Sequence, residues 1–175
     1  VLSTGVATSG DSGELSLRTG TATGGAGGSI ALEVGTGTTG TGGSVSIKGG
    51  DSSATSQGTG GKLTITTGQG TTTSSGDLIM RTEDGGPTAG TNPGGISGMV
   101  VLSSGVATAS GPSGDMYFGS GDSVGGRGGA ITMTVGSGDT GDGGGIIMSA
   151  GASTGGDSGA MLLGTNTASG GTGGE

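Results

Sequence analysis

Histidine and cysteine are both absent from this 175-residue chain. Losing histidine removes the commonest acid/base group and metal ligand. Losing cysteine removes any disulfide framework, which a hydrogen-bonded repeat does not need and which by itself assigns no compartment. Tryptophan is absent too, and there is one Phe and one Tyr, so the large side chains that fill a thick core are missing. Five basic residues stand against thirteen acidic ones, for a net charge of −8. That argues against nucleic acid as a partner, since phosphate binding needs clustered Lys and Arg. No apolar run approaches the ~18 residues of a membrane span, and no signal peptide is visible. The chain starts at Val1 and reads as a mature or excised piece of something longer.

What is abundant is glycine, 51 residues of it, with Ser and Thr supplying much of the rest. Glycine at this level without a period signals disorder. Here there is a period. A phrase of the form apolar–x–apolar–x–x–Gly starts at Leu15, Ile30, Val45, Leu63, Leu78, Val100, Met116, Ile131, Ile146 and Met161. Self-similarity at about fifteen residues is the signature of a solenoid. We number each copy from its first apolar residue, p0. Positions p0 and p2 alternate with polar neighbours, as in a strand with one covered face.

Position p5 holds Gly20, Gly35, Gly50, Gly68, Gly105, Gly121, Gly136 and Gly151, with Asn166 and Glu83 as departures. These are read as corner glycines at positive φ. Position p7 is always tiny, as in Ala22, Gly37, Ser52, Gly70 and Ser153. It is expected on a second wall, facing p0 and p2. The sequence therefore predicts an all-β fold, a narrow two-walled β-solenoid of about eleven coils of about fifteen residues. The alternative is a polyproline II helix bundle, which glycine-rich chains also form. Residues 1–175 are expected as a single continuous solenoid, with 84–98 as a Pro/Gly-rich insertion loop. The offset of about 100 between Val1–Thr8 and Val101–Thr108 points to a block duplication, 1–99 and 100–175. By register the chain begins just inside one coil and ends just before another, without charged caps, so coils are expected to continue beyond both ends.

Outward positions carry the functional candidates. At p3, Arg18, Glu33 and Lys48 alternate in sign and form at best an exposed ladder worth little. At p1, Ile79, Val101, Tyr117, Ile147 and Leu162 make an apolar stripe, read as a lateral interface with another copy or with a covering loop such as residues 84–98. On the second wall Thr8, Thr21, Thr23, Thr36, Thr38 and Thr71 form a hydroxyl face. The pairs Thr21 with Thr23 and Thr36 with Thr38 resemble the Thr-x-Thr arrays of insect β-solenoid antifreeze proteins, which implies ice binding over a few coils. Ser/Thr density also suits O-glycosylation, so O-glycans are expected partners alongside other copies of the chain.

No chemical site emerges. The Gly24–Gly28 stretch lacks the strand, helix and Gly-Lys-Ser/Thr context of a phosphate loop. A weak divalent-cation role would fall to Asp139 and Asp142, whose spacing does not recur. The serines lack a His partner, and the chain is expected not to be an enzyme and to carry no cofactor. The stretches Ser9–Gly13 and Thr19–Gly28 resemble the Gly/Ser/Thr-rich β-solenoid repeat proteins of microalgae and other aquatic microbes. That resemblance implies a structural subunit or segment of an extracellular filament or surface fibre, O-glycosylated and self-assembling. Adhesin stalks, or a module whose Thr face binds ice, glycan or mineral, are the alternatives.

Overall fold

The computed structural model describes residues 1–86 and 95–165. In two of the phrases alternate residues share a side. Arg18 Nε, at p3, donates to Ser16 Oγ, at p1, over 2.7 Å. The Tyr117 ring lies against the bare Cα of Gly119, again p1 over p3. The period-two pattern is therefore expressed locally.

It does not build a sheet. Among the described residues there is neither strand nor helix, so the two-walled β-solenoid is not formed. The physical reason lies at p8–p10. The chain bends at residues 8–10, 23–25, 38–40, 71–73, 124–126, 139–141 and 154–156, and one or two positions later at 55–57 and 109–111. These bends fall where the second wall would have run. Position p7 stands at the entrance to a bend instead of facing p0 and p2. Ser153 Oγ accepts from the Gly155 and Gly156 amides at 3.4 and 3.0 Å, and Ser52 Oγ accepts from Ala54 N at 3.4 Å. Small hydroxyl residues favour such turns by bonding their own backbone two residues on.

After each bend the chain doubles back, and one meeting point of the arms recurs from repeat to repeat. The residue at p4 meets a glycine two residues before the next phrase. In the first of the chain's two units, Val1–Arg81, the pairs are Thr4 with Gly13, Thr19 with Gly28, Val34 with Gly43, Gly49 with Gly61 and Thr67 with Gly76. In the second unit, Thr82–Glu175, they are Thr82 with Gly98, Ser104 with Gly114, Ser120 with Gly129, Val135 with Gly144 and Ala150 with Gly159. Isolated hydrogen bonds close several of these pinches. Gly61 N donates to Gly50 O at 2.7 Å, Gly76 N to Gly68 O at 3.1 Å and Gly159 N to Gly151 O at 2.9 Å. A strand needs such bonds in succession along both arms, and the pinch supplies one or two before the arms part.

No residue in the described part is buried, and only Gly49, Gly70 and Gly85 are half-buried. A polyproline II bundle packs glycine at its interior contacts, so the alternative architecture also lacks its core. The expected insertion at 84–98 is closed at its base, by Gly95 N donating to Gly86 O at 3.1 Å and Thr82 Oγ1 to Gly98 O at 3.2 Å. Residues 87–94 of that loop, like Asn166 at p5, lie outside the described residues.

Candidate functional site

The recurring constellation is the pinch, and its chemistry is backbone and hydroxyl. Where p4 is Thr or Ser, the hydroxyl can donate across to the glycine carbonyl. Thr19 Oγ1 reaches Gly28 O at 3.1 Å, and Ser120 Oγ reaches Gly129 O at 2.9 Å. Where p4 is Val, the methyls fill the space that a side chain on the glycine would need. A Cβ at Gly43 would meet Val34 Cγ1 at 2.6 Å, and one at Gly144 would meet Val135 Cγ1 at 2.8 Å. Real Cβ atoms do not come so near, so glycine here follows from close approach.

This glycine column was missed by the expectations drawn from the sequence, although the signal was present. A glycine stands two residues before every phrase copy, at 13, 28, 43, 61, 76, 98, 114, 129, 144 and 159. It is kept more strictly than p5. At p5 the backbone is not left-handed, and a Cβ at Gly20, Gly35, Gly50, Gly68, Gly105, Gly121, Gly136 or Gly151 would meet open space. Positive φ falls at the bends instead, at Gly10, Gly40, Gly125 and Gly141, and at one non-glycine, Gln57. The part p5 plays is to offer its carbonyl to the pinch, as Gly50, Gly68 and Gly151 do.

The hydroxyl candidates sit at the bends. Thr8, Thr23, Thr38 and Thr71 each open a bend, and Thr21 and Thr36 lie two residues earlier. All six are exposed. They stand on loop tips, not on a flat wall. At p3 the expected ladder gives way to local contacts, with Lys48 Nζ paired to Asp51 Oδ2 at 2.6 Å. Asp139 Oδ1 accepts from Thr140 Oγ1 at 3.4 Å. Among the described residues no cluster of three or more potential metal ligands forms, and no helix is long and apolar enough to cross a membrane.

The p1 stripe is the most exposed apolar position of its phrases. Tyr117 is 88% exposed against 44% for Met116, and Leu162 is 94% exposed against 57% for Met161. In the second unit the return through the 120–129 pinch sets Phe118 beside the next phrase. Phe118, Ile131, Thr132 and Met133 line an open apolar cleft of about 470 Å³. Comparison with protein-family models, with curated proteins and with solved structures gives no match.

Proposed function

We propose that this chain is a structural repeat segment of an extracellular filament or surface fibre. The observation that carries the reading is the repetition of one small mechanical unit, the glycine pinch, in both units of the chain. A solenoid's continuous ladder would resist extension. A row of pinches works differently, because each one stores slack. The nine-residue separation of Thr19 and Gly28 spans on the order of 30 Å when pulled straight. Its closure rests on exposed hydrogen bonds worth about 0.5–1.5 kcal/mol each, so it opens early and recloses when tension falls. Such a chain lengthens in small, repeated, recoverable steps.

The same geometry favours O-glycans over ice as the use of the threonines. Thr8, Thr23, Thr38 and Thr71 project at exposed bends, where a transferase reaches them, whereas an ice-binding array needs a flat face. The reading contains no catalytic step. Antibodies raised against the chain and applied to intact source cells test it. Labelled surface fibres are the expected result. Label that appears only after the cells are opened would overturn it.

A further inference from the structure

We infer that Gln57 and Gln69 are acyl donors, and Lys62 the preferred acyl acceptor, for isopeptide cross-links between copies of this chain. This rests on the filament reading and names the bond that joins one copy to the next.

The chain has two glutamines and two lysines, and all four fall between Lys48 and Gln69. Other copies of the phrase carry neither residue, so the repeat does not impose the grouping. The structure sets the four on one loop and the phrase that follows it. Lys48 precedes Gly49 and Lys62 follows Gly61, the two glycines of a pinch closed by Gly61 N donating to Gly50 O at 2.7 Å. Gln57 ends the bend at 55–57 within that loop, and Gln69 stands two residues before the bend at 71–73. All four residues are exposed. Each glutamine is followed by a glycine that its bend folds against. A Cβ on Gly58 would lie 2.5 Å from Ala54 Cβ, and one on Gly70 would lie 3.0 Å from Thr73 C. An enzyme that acts on a side-chain carboxamide needs it on an exposed loop without a bulky neighbour, and both positions meet that need.

Other covalent routes to a fibre are closed or stop short. Without cysteine the chain forms no disulfide, and its single Tyr could join copies in pairs and no further. Two donors and two acceptors per copy let addition continue. The reaction is an acyl transfer and needs no oxidant. Its catalyst is a cysteine acyltransferase of the transglutaminase class, supplied by the cell because this chain has no thiol. The enzyme's thiolate attacks the glutamine Cδ, the C–N bond breaks, the thiol's proton goes to the leaving nitrogen, and ammonia departs from a thioester. The lysine Nζ, as the free amine, then attacks the thioester carbon. Its proton returns to the departing thiol, and one amide bond joins the two chains. Lys48 is less ready for this step, because its Nζ lies 2.6 Å from Asp51 Oδ2 and that contact has to open first. Lys62 has no ion pair among the described residues.

The placement also suits a chain that lengthens under tension. Residues 1–47 and 70–175 hold no glutamine or lysine, so the pinches there stay free to open between fixed junctions.

Peptide mapping by mass spectrometry of fibre material from the source cells, digested in denaturant, tests this. The expected result is an amide-joined peptide pair, lighter than its two peptides together by one ammonia. Gln57 or Gln69 stands on one side, and Lys62 more often than Lys48 on the other. Unmodified Gln57, Gln69, Lys48 and Lys62 throughout that material would overturn the inference. A second measurement treats the purified full chain, isotope-labelled and unlabelled copies mixed, with a purified transglutaminase. A detergent-resistant ladder containing mixed-isotope pairs is expected. Lys62→Arg should remove most of that ladder and Lys48→Arg little of it, and Asp51→Asn should shift junctions toward Lys48. Links confined to single copies would overturn the inference, as would equal use of the two lysines that Asp51→Asn leaves unchanged. The two readings fail separately: surface fibres that antibody labels, with all four residues unmodified, remove the cross-link and keep the filament.

Discussion

Val34 and Gly43 stand so close across a bend that a Cβ on Gly43 would lie 2.6 Å from Val34 Cγ1. One residue beyond Val34, Gly35 has open space around the same position and no left-handed backbone. Two glycines of one repeat therefore differ in what they tolerate. Gly43→Ala should force the arms apart, and Gly35→Ala should not. The lack of native cysteine permits paired spin labels at introduced cysteines replacing Leu32 and Val45. A shift to longer distances in the first variant alone is expected. Equal broadening in both would mean that the Val34 contact does not hold the loop.

The contrast also shows which parts of this chain are legible in its sequence. The phrase and its local alternation can be read directly, because Ser16 with Arg18 and Tyr117 with Gly119 follow from period two alone. The sheet cannot, because it requires something for p0 and p2 to be buried against. With one Phe, one Tyr and no Trp, the residues at p7 are too small to supply that second wall, and Ser153 bonds the bend instead. The same smallness that suggests a thin core leaves no core. The column ending in Gly159 was legible as a pattern, but at Gly43 and Gly144 its cause is a close contact with p4 across a bend. No local rule marks that contact.

A covalent trap tests the pinch itself. A Cβ at Gly28 would lie 3.2 Å from Thr19 Cβ, near the separation that a disulfide accepts. The double variant Thr19→Cys, Gly28→Cys should oxidise readily. Leu15→Cys with Gly24→Cys encloses a loop of the same length but has no such contact, since a Cβ at Gly24 meets nothing. Loop-closure entropy is equal in the two, so a faster rate in the first reports the pinch. Equal rates would mean that the arms meet only by chance.

Amide exchange reads the hydrogen bonds one by one. The amides of Gly61, Gly76 and Gly159 donate across their pinches, whereas Gly40 and Gly125 sit at the bends. Exposed single bonds give slight protection, because local opening costs little. A slowing of a few-fold at the three pinch amides relative to the two bend amides is expected by NMR. Uniform exchange across all five would count against closed loops in solution.

Lys48 and Asp51 form a 2.6 Å ion pair with both side chains mostly exposed, 71% and 81%. Pairs in that setting contribute about 0–1 kcal/mol and are screened by salt. Lys48→Met should leave exchange at the Gly61 amide within error of the wild-type rate. A marked acceleration would show that the pair helps to close the loop between Gly49 and Gly61.

Gln57 is the sharper test of that same loop. Its φ of 57° is positive, as are the 89°, 82°, 80° and 81° of Gly10, Gly40, Gly125 and Gly141 at other bends. For a residue with a Cβ this costs about 1–2 kcal/mol, comparable to the whole gain from the Gly61 to Gly50 hydrogen bond. Gln57→Gly removes that strain while adding backbone freedom to the open chain, which offsets part of the benefit. Gln57→Val adds a branched Cβ where the left-handed region tolerates it least. The Gly61 amide should therefore exchange more slowly in the glycine variant and faster in the valine variant, in that order about the wild type. If valine protects Gly61 as well as glycine does, the bend at 55–57 is not what closes the loop, and closure must come from Gly49 against Gly61 alone.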